Sequence, residues 1–293
     1  MKCRKGWLLF TVVALAGLLF SGCGQQASAK TLKLVYPAWD SEIASTHVVK
    51  EVLEKKLGYQ VEAMQVDAGP MWQGVSDGSA DASVGAWLPM THKSYLEKYK
   101  DKLADLGPNL DGAVTGLVVP EYMDISSIED LAKEDVGQSL DHKIIGIEPG
   151  AGIMMATGKA LKDYGLEGKW TLVESSSAAM AAELEKAYKD KKPIVVTGWT
   201  PHWMFAKMDL KYLDDPKKVY GDAEQIHTIV RKGLEKDHPD AYQFLDQFQW
   251  TPDDMAEVMV EIQGGKSPEQ AAADWVQKHE TKVNGWIKGI PTK

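Results

Sequence analysis

The sequence predicts an α/β protein of two similar lobes joined by a hinge, with a cleft between them. Three observations predict it. The chain repeats itself: "KLVYPAW" at 33–39 answers to "KIIGIEPGAG" at 143–152, and "ASVGAWLPMTH" at 82–92 answers to "IVVTGWTPHW" at 194–203. Pro37 pairs with Pro149, Trp87 with Trp199 and Pro89 with Pro201, and the intervals 37 to 87 and 149 to 199 are both 50 residues. Within each copy, apolar runs alternate with helical patterns such as 41–56 and 178–189, which is the signal for largely parallel sheets flanked by helices. Finally, "TGLVVP" at 115–120 and "HTIVRK" at 227–232 stand at one offset of 112 residues and read as the strands that cross between lobes. Two crossings make a hinge that permits closure.

The elements follow in chain order. Lys2, Arg4 and Lys5, then an uncharged run at 6–20, then Ser21-Gly22-Cys23, give residues 1–22 the layout of a cleaved export signal. Its fourteen residues at 7–20 fall short of the about 20 a spanning helix needs. The residues before Cys23 resemble a lipobox, with Phe20 where leucine is usual, so Cys23 is expected to be lipidated and to begin the mature chain. Cys3 then leaves with the signal and no thiol remains, which excludes disulfides and cysteine chemistry. Residues 23–30 form the lipidated cysteine and a polar tether; one acyl chain holds a globule near a membrane without inserting it.

Removing the signal takes three of the 33 basic residues and no acid, leaving 30 against 42, a net charge of -12. Nucleic acid is not expected as a partner on that balance. The remaining 271 residues (293 less 22) are enough for a sizeable core and two lobes. Residues 31–118 read as lobe I, 119–227 as lobe II, and 228–293 as a return to lobe I with a helical tail. In that tail Thr251-Pro252 and Ser267-Pro268 are helix starts, separated by a Gly264-Gly265 stop.

Trp39, Trp87 and Trp199 each follow a predicted strand, the last of these at 193–196. In an open α/β sheet the crevice lies beyond the carboxyl ends of the strands, so lobe closure brings three indoles together. Three indole faces without a nearby carboxylate pair prefer a diffuse cation that forms no hydrogen bonds, a quaternary ammonium. An ordinary ammonium would lose its water without replacement. Any one tryptophan alone is as readily a core residue; the shared placement selects these three. Trp72, with Met71 and Val75 in a helical pattern, and Trp170, Trp250, Trp275 and Trp286 read as packing, Trp203 as structural, and Trp7 belongs to the signal.

The turn "EPGAGIMM" at 148–155 leads from a strand into a helix, and its free backbone amides suit an anion. Beside a cation cage it points to a zwitterion, a carboxylate attached to a trimethylammonium. His92 and His202 stand at the same crevice, and position does not choose between them. Asp40 and Ser41 read as N-cap residues of the first helix.

Together "AWDSEIAST" (38–46), "AWLPMTH" (86–92), "IEPGAGIMM" (147–155) and "TGWTPHWMF" (197–205) resemble the glycine betaine-binding proteins of ABC importers, over essentially the whole mature chain. The resemblance implies a periplasmic-binding-protein-like fold of type II with the ligand in the interlobe cleft. It implies a prism of Trp39, Trp87 and Trp199 around the trimethylammonium, and carboxylate contacts from the amides of Gly152 and Ile153 and from His92, which demotes His202. It further implies a monomeric, lipid-anchored receptor at the outer face of the cytoplasmic membrane. Such a receptor captures glycine betaine or proline betaine for a cognate permease and ATPase, with no cofactor or metal.

Catalysis is not expected. "GVSDG" at 74–78 satisfies G-x-S-x-G, but a nucleophile elbow needs a strand before the serine and a helix after it, and here the order is reversed. HExxH, P-loop and GxGxxG patterns are absent from the sequence. A sensor of the same fold, in place of a transport component, stays open at this point.

Overall fold

The computed structural model describes residues 30–292. The expected signal sequence, the expected lipidation site Cys23 and the expected tether up to residue 29 lie outside the described residues.

The first half of the chain lays down β1 (Thr31–Tyr36), α1 (Asp40–Lys55), β2 (Gln60–Gln65), α2 (Ala68–Asp77), β3 (Ala82–Leu88) and α3 (Lys93–Tyr99). A long strand, β4 (Leu103–Pro120), leads away to a 3-10 turn at Ile128–Ala132 and to α4 (Glu134–Ser139). The second half repeats the pattern with β5 (Lys143–Ile145), α5 (Gly152–Asp163), β6 (Thr171–Val173), α6 (Ser177–Lys189) and β7 (Val196–Thr200). α7 (Trp203–Lys207), β8 (Leu210–Tyr212) and the returning strand β9 (Glu224–Arg231) follow. The tail is helical: α8 (Leu234–Asp237), α9 (Pro239–Gln247), α10 (Pro252–Gln263), α11 (Pro268–Lys278) and α12 (Glu280–Trp286).

The strands run in the order β2-β1-β3-β9-β4-β7-β5-β6, with β8 on the end of β4. β1 is parallel to β2 and β3, and β5 is parallel to β6 and β7. Each lobe therefore holds three parallel strands closed by an antiparallel one from the other half of the chain. β9 pairs with β3 through Trp87 opposite Ile226, and β4 pairs with β7 through Thr115 opposite Trp199. β3, "ASVGAWL", is buried at every position, as a strand covered on both faces by helices must be.

Two boundaries differ from the sequence reading. β7 begins at Val196, because Pro193 has no N–H to give a ladder and Lys191 turns the chain with φ 53°. Trp87 and Trp199 are consequently the penultimate residues of β3 and β7, not residues beyond them. The crossing strand β4 starts twelve residues before 115. Its early part, "LADLGPNLDG", carries turn-forming residues, and the β4–β9 ladder accommodates them with register shifts around Pro108 and between Asp111 and Ala113.

α10 starts with a capping box between Thr251 and Asp254, and α11 with the Ser267 hydroxyl accepting from the Gln270 N–H. Both helices lie against α1. Trp250, Trp275 and Trp286 pack together with Phe248, Trp275 stacking on Trp286 at 5.7 Å and 12°. Trp72 is buried in α2 beside Met71 and Val75.

Candidate ligand-binding site between the lobes

Trp39, Trp87 and Trp199 line one void of about 20 Å³, together with Thr91, Thr115, Ile147 and Ile153. Trp39 comes from the β1–α1 junction and Trp199 from β7, and their ring centroids stand 6.4 Å apart at 56°. All three indoles are buried.

Each indole N–H is tied to an oxygen. Trp87 Nε1 donates to Glu42 Oε1 at 2.7 Å, Trp199 Nε1 to Ser41 Oγ at 3.2 Å, and Trp39 Nε1 to Glu148 Oε1 at 2.6 Å. The Ser41 hydroxyl in turn donates to Glu42 Oε2, so one chain of bonds joins Trp87 of the first lobe to Trp199 of the second. Trp203 Nε1 donates to Asp40 Oδ1 at 3.1 Å, and Ser177 Oγ donates to Asp40 Oδ2 at 3.2 Å. His202 Nε2 lies 3.3 Å from Asp40 Oδ2, and the same ring's Nδ1 accepts from the Met204 N–H, which caps α7.

These bonds correct the reading of Asp40 and Ser41 as N-cap residues. The N-cap of α1 is Trp39, and neither side chain caps the helix. They reach across to the second lobe. Carboxylates also stand behind the indoles, where the sequence reading placed none. Glu42 is fully buried, and burial pushes its carboxyl up to about 7 against the donors Ser41 and Trp87. Burial also raises Asp40, but the His202, Trp203 and Ser177 bonds outweigh it and hold that carboxyl below the usual range.

His92 stands behind the cage. Its ring is fully buried, with its centroid 5.7 Å from that of Trp39 and 5.8 Å from that of Trp72. Nδ1 accepts from the Trp87 backbone N–H at 3.0 Å, and burial pushes the ring down to about 3. The imidazole is therefore neutral, and its proton sits on Nε2 because Nδ1 is an acceptor. Nε2 is buried and has no hydrogen-bond partner among the described residues, a donor available to an anion.

Gly152 and Ile153 open α5, whose N-cap Ala151 offers no side-chain cap, so their amides have no intrahelical acceptor. Gly152 is a close-approach glycine: a Cβ there would stand 2.1 Å from the Thr91 carbonyl oxygen. The loop carrying Thr91 is itself fixed by Glu224 on β9, which accepts from the Met90 N–H at 3.1 Å, the Thr91 N–H at 3.0 Å and the Thr91 hydroxyl.

Of the residues singled out from sequence, Trp39, Trp87, Trp199 and Ile153 line the void, while Gly152 and His92 adjoin it through Ile153 and Trp87. His202 belongs to the Asp40 cluster instead. Thr91, Thr115, Ile147, Glu42 and Glu148 were not anticipated. Glu42 had a signal: with Ser45, Val49 and Val52 it falls at helical spacing on the buried stripe of α1.

A family model described as the substrate binding domain of ABC-type glycine betaine transport systems matches residues 30–278. The chain is 59% identical over 160 residues to the glycine betaine/carnitine transport binding protein GbuC of Listeria monocytogenes, a match spanning 54% of this chain and 53% of that protein. Its fold resembles lactococcal OpuAC in the closed conformation complexed with glycine betaine, with a TM-score of 0.83 and 49% identity over 88% of this chain and 100% of that one. It also resembles the glycine betaine, L-proline-binding protein ProX of Borrelia burgdorferi, with a TM-score of 0.85 and 39% identity over 89% and 97%. The architecture is the periplasmic-binding-protein-like α/β fold of these structures. The repeat, the two crossing strands and the three indoles thus have one context, and the chain belongs to the family of substrate-binding domains of ABC-type glycine betaine transport systems.

Proposed function

We propose that this protein is the extracytoplasmic receptor of an ABC importer, capturing glycine betaine and related betaines for a membrane permease and its ATPase. The trimethylammonium enters the void between Trp39, Trp87 and Trp199; the carboxylate takes the amides of Gly152 and Ile153 and the Nε2–H of His92. The observation that carries this reading is the meeting of indoles from both lobes around one small void. In the same reading residues 31–118 and 119–227 are the two lobes, 228–293 return to the first, and Cys23 anchors a monomer to the membrane.

Three cation-π contacts at about 1 to 2 kcal/mol each contribute roughly 3 to 6 kcal/mol. Charge-assisted hydrogen bonds add about 1.5 to 3 kcal/mol each before the costs of binding. Micromolar affinity, about -8 kcal/mol, is within that reach. A ligand of about 8 heavy atoms has a ceiling near -12 kcal/mol.

The test is titration calorimetry of glycine betaine into the wild type and Trp87→Ala. Affinity is expected to fall tenfold or more; equal affinities would remove the cage from the proposal.

A further inference from the structure

The Glu42 carboxylate is fully buried, and among the described residues its polar partners are Trp87 Nε1 and the Ser41 hydroxyl, with no Lys, Arg or His in ion-pair reach. The backbone makes room for it. Gly85 in β3 has no side chain where a Cβ would stand 2.6 Å from Glu42 Cγ, and the β3–β9 register shifts between Ser83 and Ala86. A buried carboxylate without a cation costs stability, because both its oxygens leave water for two neutral donors. Such a cost, held in place by a glycine and a bulge, marks a group retained for function.

We propose that Glu42 is a positioning and selectivity residue: through the indole of Trp87, and through Ser41 to that of Trp199, it supplies the buried negative charge that makes the cage require a cationic ligand. The inference rests on the betaine reading above. A carboxylate accepting from an indole N–H polarises the ring and makes its face a better seat for a positive charge. Burial leaves this carboxyl only about half ionised at neutral pH without ligand; a bound trimethylammonium favours its ionised form and in return gains a countercharge in a region where charges are weakly screened. Asp40, on the same helix, does not take this part, since it is engaged by His202, Trp203 and Ser177. Glu148 accepts from Trp39 and is the secondary contributor from the second lobe. Glu42 touches two of the three cage indoles, directly or through Ser41, which is why the assignment falls on it.

The probe is a pair of ligands that differ only in charge at one atom: glycine betaine and 3,3-dimethylbutanoate, in which carbon replaces the quaternary nitrogen. Both carry the same carboxylate, so contacts at Gly152, Ile153 and His92 cancel in the ratio of affinities. Wild type is expected to prefer betaine by about a hundredfold or more, and Glu42→Gln, which keeps an acceptor for Trp87, to lose at least about tenfold of that preference, equivalent to about 1.4 kcal/mol. Glu42→Asp, which keeps the charge, should retain more of the preference than Glu42→Gln. The ligand-free Glu42→Gln protein should melt no lower than wild type, whereas a merely structural Glu42 would be missed. A preference unchanged by Glu42→Gln, while wild type binds betaine, would overturn the inference and leave the betaine reading standing. A wild-type preference under about tenfold would overturn it without any variant. Wild type that binds no betaine would overturn the underlying reading instead.

Discussion

Gly152→Ala isolates closure from folding. Gly152 is the first residue of α5 in the second lobe, and Thr91 belongs to the loop after β3 in the first. A methyl group at 152 would stand 2.1 Å from the Thr91 carbonyl oxygen and 2.5 Å from its Cγ2. Unstrained carbon–oxygen approach is about 3.3 Å, so the lobes must part by about 1 Å at this point. The clash exists only where the lobes meet. Within its own lobe the substitution is harmless, since alanine at the start of a helix is favoured over glycine. Overpacking typically costs about 1 to 3 kcal/mol, and here that cost falls on the closed arrangement alone. Betaine affinity should therefore drop about 5- to 150-fold. Titration calorimetry measures the loss, and thermal unfolding of the ligand-free protein supplies the control, with a melting temperature equal to or above wild type. Full affinity in the variant, or a ligand-free protein several degrees less stable, would refute the reasoning.

Other outcomes follow from the same geometry. Asp40→Asn weakens the bonds to His202 and Trp203 across the cleft, so stopped-flow tryptophan fluorescence should report faster betaine release by several-fold while the ligand-free melting point changes little. Trp72→Ala empties a fully buried site in α2, away from the void lining; it should cost about 3 to 5 kcal/mol in denaturant unfolding and leave affinity for betaine within a few-fold. His92→Ala should weaken betaine more than choline, which lacks the carboxylate, when the two are titrated side by side. The His92 ring also acts on stability. Its folded value is pushed down to about 3 from 6.5, so the unfolded chain takes the proton first as pH falls. The stability it contributes is present above about pH 6.5 and is lost toward pH 3, on the order of several kcal/mol. Melting curves across that window should show a shallower acid decline for His92→Ala than for wild type.

The parts of the architecture that repeat were legible, because a strand, a helix and a proline at one offset can be matched without knowing how they pack. The three indoles were legible for the same reason: each stands in a comparable place relative to a strand. What stayed hidden was the polar scaffold behind them. Asp40, Ser41 and Glu42 sit in the first turn of α1, where local rules favour capping and dipole roles; their real partners, Trp203, Trp199 and Trp87, are 163, 158 and 45 positions away. Thr91, Thr115 and Ile147 join the void from three separate segments and share no spacing. The early part of β4 was hidden by "LGPNLDG", whose glycines and proline signal a loop when read locally and are tolerated only because β9 supplies the ladder.

The exchange of strands has a consequence during synthesis. β3 is complete when residue 88 leaves the ribosome, yet its partner β9 spans Glu224–Arg231. Until then a largely apolar strand has an open edge, and unpaired edges of that kind invite adhesion to other chains. Neither half can be excised as an autonomous unit, for each would lack the strand that seals it.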